Sequence, residues 1–261
     1  MSKPLINFVH ANGFPAGSYR TFLAEFAPNF TTIAHNQFGH NERYPIQNNW
    51  QNLVIELVDY LKKQDRKVIC IGHSFGGVIS FIAACQHPEL FRGLVMLDPP
   101  VFTGPFSQLL RFIKKTPLID KYTPAGKAIN RKRHWPLTTN LVNNFSQKRL
   151  FKNFDVRCLQ DYVDHGFSDR NSRLELTFLP KVEADIFRHI PCNLSKHKNK
   201  LKVPSSLIYG ENTGVLPFKD FNRFAKWNDI ELTMMPKGGH MFPLEQPEKT
   251  AALIKALIKH W

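Results

Sequence analysis

The run VICIGHSFGG, Val68 to Gly77, sets Ser74 between Gly72 and Gly76 in the pattern G-x-S-x-G, where an apolar strand-like stretch meets a helical one. A sharp strand-to-helix turn requires that pattern, because strand and helix approach closely only if the residues flanking the serine lack bulky β-carbons. Such a turn lifts the Ser74 hydroxyl above the sheet as a nucleophile. It also leaves the Phe75 amide free at the helix start to hold an oxyanion. Serine is a weak nucleophile near neutral pH and needs a base. Among the eleven histidines, His240 stands in PKGGHMFPLEQPE, a loop between the last strand and the last helix. A loop there opens on the carboxyl edge of the sheet, the side that Ser74 faces. His73 adjoins the nucleophile but should point away from it, and His10, His35 and His40 fall in other edge loops. The chemistry expected of such residues is acyl transfer by an activated serine.

Elements that could position them alternate along the chain. PLINFVH, TTIAH, KVICIG and GLVMLD read as strands, and SSLIYG and IELTMM resume the pattern late in the chain. Helical stretches separate them. In NWQNLVIELVDYLKKQ the apolar residues Trp50, Leu53, Val54, Leu57, Val58 and Leu61 repeat at three- and four-residue spacing and mark one buried face. Strands alternating with helices predict a parallel α/β sheet. The alternation stops between residues 99 and 202, which read as helical, aromatic and basic. The expected organisation is a core from 1–98 and 203–261 carrying a 104-residue insertion.

Together these residues resemble the α/β-hydrolase family over about 1–100 and 203–261, in the chain order Ser74, then acid, then His240. Nine residues before His10 leave no N-terminal hairpin to expect, so the sheet should have about six mostly parallel strands, flanked by helices and covered by a helical basic cap. VHANG is similar to the family's oxyanion loop, with Ala11 where a glycine is usual. Register then assigns the second donor to the Asn12 amide, Gly13 or Phe14 being the alternatives. The family often carries its acid as G-x-x-D after the strand that follows the cap, and that position is Thr213 in LIYGENTGVLP. Members similar to haloalkane dehalogenases carry it instead after the strand following the nucleophile helix, which is Asp98 here. Glu211, one residue past Gly210, is the alternative acid. The resemblance thus implies a serine hydrolase acting on a carboxylic ester or thioester, with Ser74, His240 and Asp98 as triad and Phe75 and Asn12 as oxyanion donors. C–C hydrolases and acyltransferases use the same triad, and a non-catalytic binding protein on the same fold is the rival.

Composition narrows the partners. The net charge of +14 is concentrated between 99 and 202, where 20 Lys/Arg stand against 8 Asp/Glu. From Arg111 to Lys152 eleven basic residues face one acid, Asp120, with RKRHW at 131–135 the densest cluster. An anionic substrate or peripheral contact with an anionic membrane surface would suit that charge. Nucleic acid is not expected, since no helix-turn-helix, zinc or RNA-binding motif accompanies it. The four cysteines are scattered without a C-x-x-C pair, so neither a zinc site nor a redox pair is implied. No metal or organic cofactor is called for. The absence of a signal-like N-terminus and of a long apolar run leads to the expectation of a cytoplasmic chain.

Overall fold

The computed structural model describes residues 3–261, so the first two residues of the expected core unit lie outside the described residues. In chain order, β1 (Leu5–Val9) leads through a 3-10 turn to α1 (Arg20–Ala24) and β2 (Thr31–Ala34). Next come α2 (Gln51–Leu61), β3 (Val68–His73), α3 (Phe75–Gln86) and β4 (Phe91–Leu97). Segment 99–202 contains α4 (Gly104–Ile113), α5 (Ile119–Tyr122), α6 (Ala125–Ile129), β5 (His134–Pro136) and α7 (Leu141–Ser146). It continues with α8 (Val156–Gly166), β6 (Phe167–Arg170), β7 (Arg173–Leu176) and α9 (Pro180–Arg188). The chain closes with β8 (Ser205–Gly210), α10 (Phe218–Asn228), β9 (Glu231–Met235), α11 (Phe242–Glu245) and α12 (Pro247–Leu257).

Six strands form one sheet in the order β2-β1-β3-β4-β8-β9, every pair parallel, as the alternation of strands and helices predicts. Side-chain alternation divides the core into two layers. Val68 and Cys70 of β3 face one layer with Leu53, Leu57 and Phe81, whereas Ile69 and Ile71 face the other with Phe8, Phe22 and Ile254. The face of α2 foreseen from its spacing is the buried one, and α3 is apolar nearly all round because it lies within the first layer.

Segment 99–202 departs from a wholly helical expectation. It also contains a three-stranded antiparallel sheet, β5-β7-β6, whose β6–β7 hairpin turns at Asn171–Ser172 with φ of 52° and 58°. Two successive left-handed residues match a tight hairpin turn. The strands are only three or four residues long, too short for their alternation to show against the helical background. Trp135 packs on Phe145 and Phe167, and Phe14 of the core meets Tyr162 at 5.1 Å between ring centres. Buried Asp161 of α8 accepts from Thr21 N at 2.7 Å and Arg20 Nε at 2.8 Å, which ties the segment to the start of α1.

Candidate active site

The turn between β3 and α3 leaves Ser74 at φ 52°, ψ −118°. Glycine is obligatory on both sides for reasons of space. A β-carbon on Gly76 would lie 2.2 Å from Val9 O, and one on Gly72 would lie 2.5 Å from Gly76 O. Ser74 N donates to Leu97 O at 2.8 Å, which binds the strained turn to the end of β4.

One hydrogen-bonded line joins three side chains from distant parts of the chain. Ser74 Oγ is 3.0 Å from His240 Nε2, and His240 Nδ1 is 2.6 Å from Asp98 Oδ2. An acceptor carboxylate on Nδ1 places the ring proton there, leaving Nε2 to accept from the serine hydroxyl. Asp98 is fully buried and receives two further donors, Gly210 N at 3.0 Å on Oδ1 and Thr213 Oγ1 at 2.5 Å on Oδ2. Thr213, which occupies the usual acid position, therefore bonds to the carboxylate that arrives from β4. Glu211 is turned elsewhere: its Oε2 accepts from Lys237 N at 2.6 Å, and it makes no hydrogen bond to His240.

Three features of the surroundings were not anticipated from sequence. His73 is buried and points away from Ser74, as expected, but it supports His240 from behind. Its Nε2 donates to His240 O at 2.9 Å, and its Nδ1 accepts from Tyr19 OH at 2.7 Å. Tyr19 OH in turn accepts from Ala11 N at 3.3 Å, so one buried chain of hydrogen bonds runs from the VHANG loop to the His240 loop. Burial, reinforced by the neighbouring His240, pushes the His73 pKa down to about 3, so the ring is neutral and has one proton to donate. Glu245 Oε2 accepts from Gly239 N at 2.8 Å and secures the loop from the other side, its own carboxyl pushed up by burial. No local sequence signal distinguishes Tyr19 or Glu245 from ordinary core and helix residues.

The amides of Asn12 and Phe75 have no acceptor among the described residues. Asn12 Nδ2 donates to Glu183 O of α9 at 3.0 Å, tying the VHANG loop to segment 99–202. His10 is structural: Nδ1 donates to Ala11 O at 2.9 Å, Nε2 accepts from Phe38 N at 3.0 Å, and burial pushes its pKa down to about 3. His35 lies 3.2 Å from Glu56, and His40 Nε2 accepts from Leu179 N at 3.1 Å. The RKRHW cluster is largely engaged within the segment, Arg131 pairing with Glu183 at 3.0 Å, Arg133 pairing with Glu175, and Lys132 lying over the Trp135 ring. Among the described residues no group of three His, Cys, Asp or Glu side chains is placed to hold a metal ion.

A serine on a strand-to-helix elbow of a parallel sheet, facing a histidine backed by a carboxylate, defines a class of hydrolytic enzymes. Residues 8–253 match the alpha/beta hydrolase family, and the chain belongs to it. An uncharacterized hydrolase, YugF, of Bacillus subtilis is 26% identical over 96% of this chain and 88% of its own. The type I acyl-CoA thioesterase mpaH of Penicillium brevicompactum is 31% identical over 57% of this chain and 33% of its own. In fold, the chain is similar to E-2-(acetamidomethylene)succinate hydrolase, with a TM-score of 0.79 and 17% identity over 99% of this chain and 92% of that one. A hydrolytic function is supported by the family and by the hydrolase and thioesterase sequence relatives.

Proposed function

We propose that the protein is a serine hydrolase that cleaves a carboxylic ester or thioester through an acyl-enzyme. The observation that carries this reading is the continuous line from Ser74 Oγ to His240 Nε2 at 3.0 Å and from His240 Nδ1 to Asp98 Oδ2 at 2.6 Å. Ser74 Oγ attacks the carbonyl carbon as His240 Nε2 takes its proton. The Phe75 and Asn12 amides hold the oxyanion, and collapse expels the alcohol or thiol, which receives the proton from His240. Water then repeats the sequence on the acyl-serine and releases the acid. Asp98 holds the imidazole in the required tautomer and offsets its charge when protonated. Serine also decides between reactions available on this fold. Opening an epoxide with a serine would leave an ether that water does not readily cleave, whereas an acyl-serine returns to free enzyme by the same chemistry that formed it.

We read segment 99–202 as a cap over this site. Contacts of α9 with the VHANG loop support it, as do Phe178 beside the His10 ring at 5.9 Å and the bond from Asn12 to Glu183. The acyl-CoA thioesterase among the relatives is consistent with thioesters as substrates. A fluorophosphonate probe tests the assignment. Wild-type protein should be labelled stoichiometrically and Ser74→Ala not at all; a folded wild type that stays unlabelled would refute the acyl-enzyme reading.

A further inference from the structure

A band of apolar side chains stands in solvent on α4 and α5. Leu110 and Ile113 are buried and hold α4 to the body, and Arg111 and Lys114 are tied down to the carbonyls of Cys192 and Ile190. Beside that buried face, Leu109 and Phe112 are 52% and 69% exposed, and Phe106, one turn before Leu110 on the same side as the buried pair, is 43% exposed. Leu118, just before α5, and Tyr122 at its end are likewise 46% and 60% exposed. Water-soluble surfaces rarely present so many large apolar groups together.

The charge around this band has one sign. Lys115, Lys121 and Lys127 are exposed and take part in no salt bridge among the described residues. Asp120, the single acid of the stretch, has both carboxylate oxygens on Arg188, at 2.8 Å and 2.7 Å. A protein partner with mixed charges would complement the apolar centre but not a rim lacking a free anion. A bilayer bearing acidic headgroups supplies both an apolar interior and a dense layer of negative charge that lysine side chains can reach along their stems. No described helix is long and apolar enough to cross a membrane, so the contact is interfacial.

We propose that the face formed by α4, α5 and α6 docks on an anionic phospholipid bilayer. Leu109, Phe112, Leu118 and Tyr122 enter the boundary between headgroups and acyl chains, and Lys115, Lys121 and Lys127 contact the headgroups. This docking does not depend on the serine hydrolase reading.

Co-sedimentation of the full chain with phosphatidylcholine vesicles, with and without phosphatidylserine, tests it. Binding should be roughly tenfold or more tighter with phosphatidylserine and should weaken as salt is raised. Leu109→Ser with Phe112→Ser should abolish it, and Lys115→Gln with Lys121→Gln should remove most of its salt dependence. Lys259→Gln, at an exposed position just beyond α12, should change nothing. The substituted side chains are exposed, so melting temperatures should hold and lost binding will not reflect unfolding. Equal binding to both vesicle types, undiminished binding of the apolar double variant, or no binding by folded wild type would each overturn the proposal. Fluorophosphonate labelling of Ser74 without vesicles reports on the catalytic reading separately, and either result stands without the other.

Discussion

Ser74 at φ 52° occupies a region that costs a non-glycine residue about 1–3 kcal/mol, and Asp98 at φ 44° does so as well. Both strained residues end adjacent strands and both belong to the same hydrogen-bonded line. Packing against β1 and the bonds made by Ser74 N and Asp98 N to neighbouring strands hold them there. The proposed role of Asp98 has a sharp kinetic consequence, because an amide at this position would favour the wrong tautomer of His240. Asp98→Asn should lower kcat/KM on an ester substrate by about 10³–10⁴-fold. Thr213→Val, which removes one of three donors to the carboxylate, should lower it roughly tenfold, consistent with one hydrogen bond to a charged group. Glu211→Gln should leave it nearly unchanged, since that carboxylate serves Lys237 N. Steady-state kinetics of the three variants checks the order, and a larger loss in Glu211→Gln than in Asp98→Asn would reverse the assignment of the acid.

At the scale of elements, the central strands are legible in sequence as short continuous apolar runs, because the sheet is covered on both faces, and α2 is legible from its period of 3.6. The tie between the VHANG loop and the His240 loop is not legible. It passes through Tyr19, which no sequence pattern marks, and His73, expected only to point away from Ser74. Tyr19→Phe removes the hydroxyl that joins Ala11 N to His73 Nδ1 and leaves both buried groups without a partner. A stability loss of about 1–3 kcal/mol should follow. If the chain positions the catalytic loops, kcat should also fall roughly tenfold at little change in KM, because the lost constraint bears on transition-state geometry. A variant that is destabilised but keeps wild-type kcat would make Tyr19 purely structural.

For the whole molecule, two buried neutral histidines couple folding to pH. His10 and His73 are pushed down to about 3 by burial, below their value of about 6.5 in the unfolded chain. Their contribution is complete above pH about 6.5 and is lost as pH falls toward 3, because the unfolded chain takes up protons that the fold refuses. The slope approaches about 1.4 kcal/mol per pH unit for each histidine. Glu183 and Glu245, pushed up by burial, act in the opposite sense and offset part of it toward acid. Denaturation midpoints should therefore decline steeply from pH 6.5 to 4, and a flat profile there would contradict the buried, neutral state of both rings.

Sequence alone determined the elbow around Ser74, the parallel sheet that carries it and the loop that presents His240. Those features rest on local sterics and on periodicities visible within a few residues. Tertiary structure decided which carboxylate reaches the histidine, because Asp98 lies 142 residues before His240 and the two meet only when β4 and the last loop share one sheet edge. It also decided which cations remain free. Composition counts Arg131 and Arg133 together with Lys115 and Lys121, but folding pairs the arginines with Glu183 and Glu175 and leaves the lysines in solvent. Charge is additive along a chain, whereas pairing depends on which surfaces the fold brings within a few ångströms.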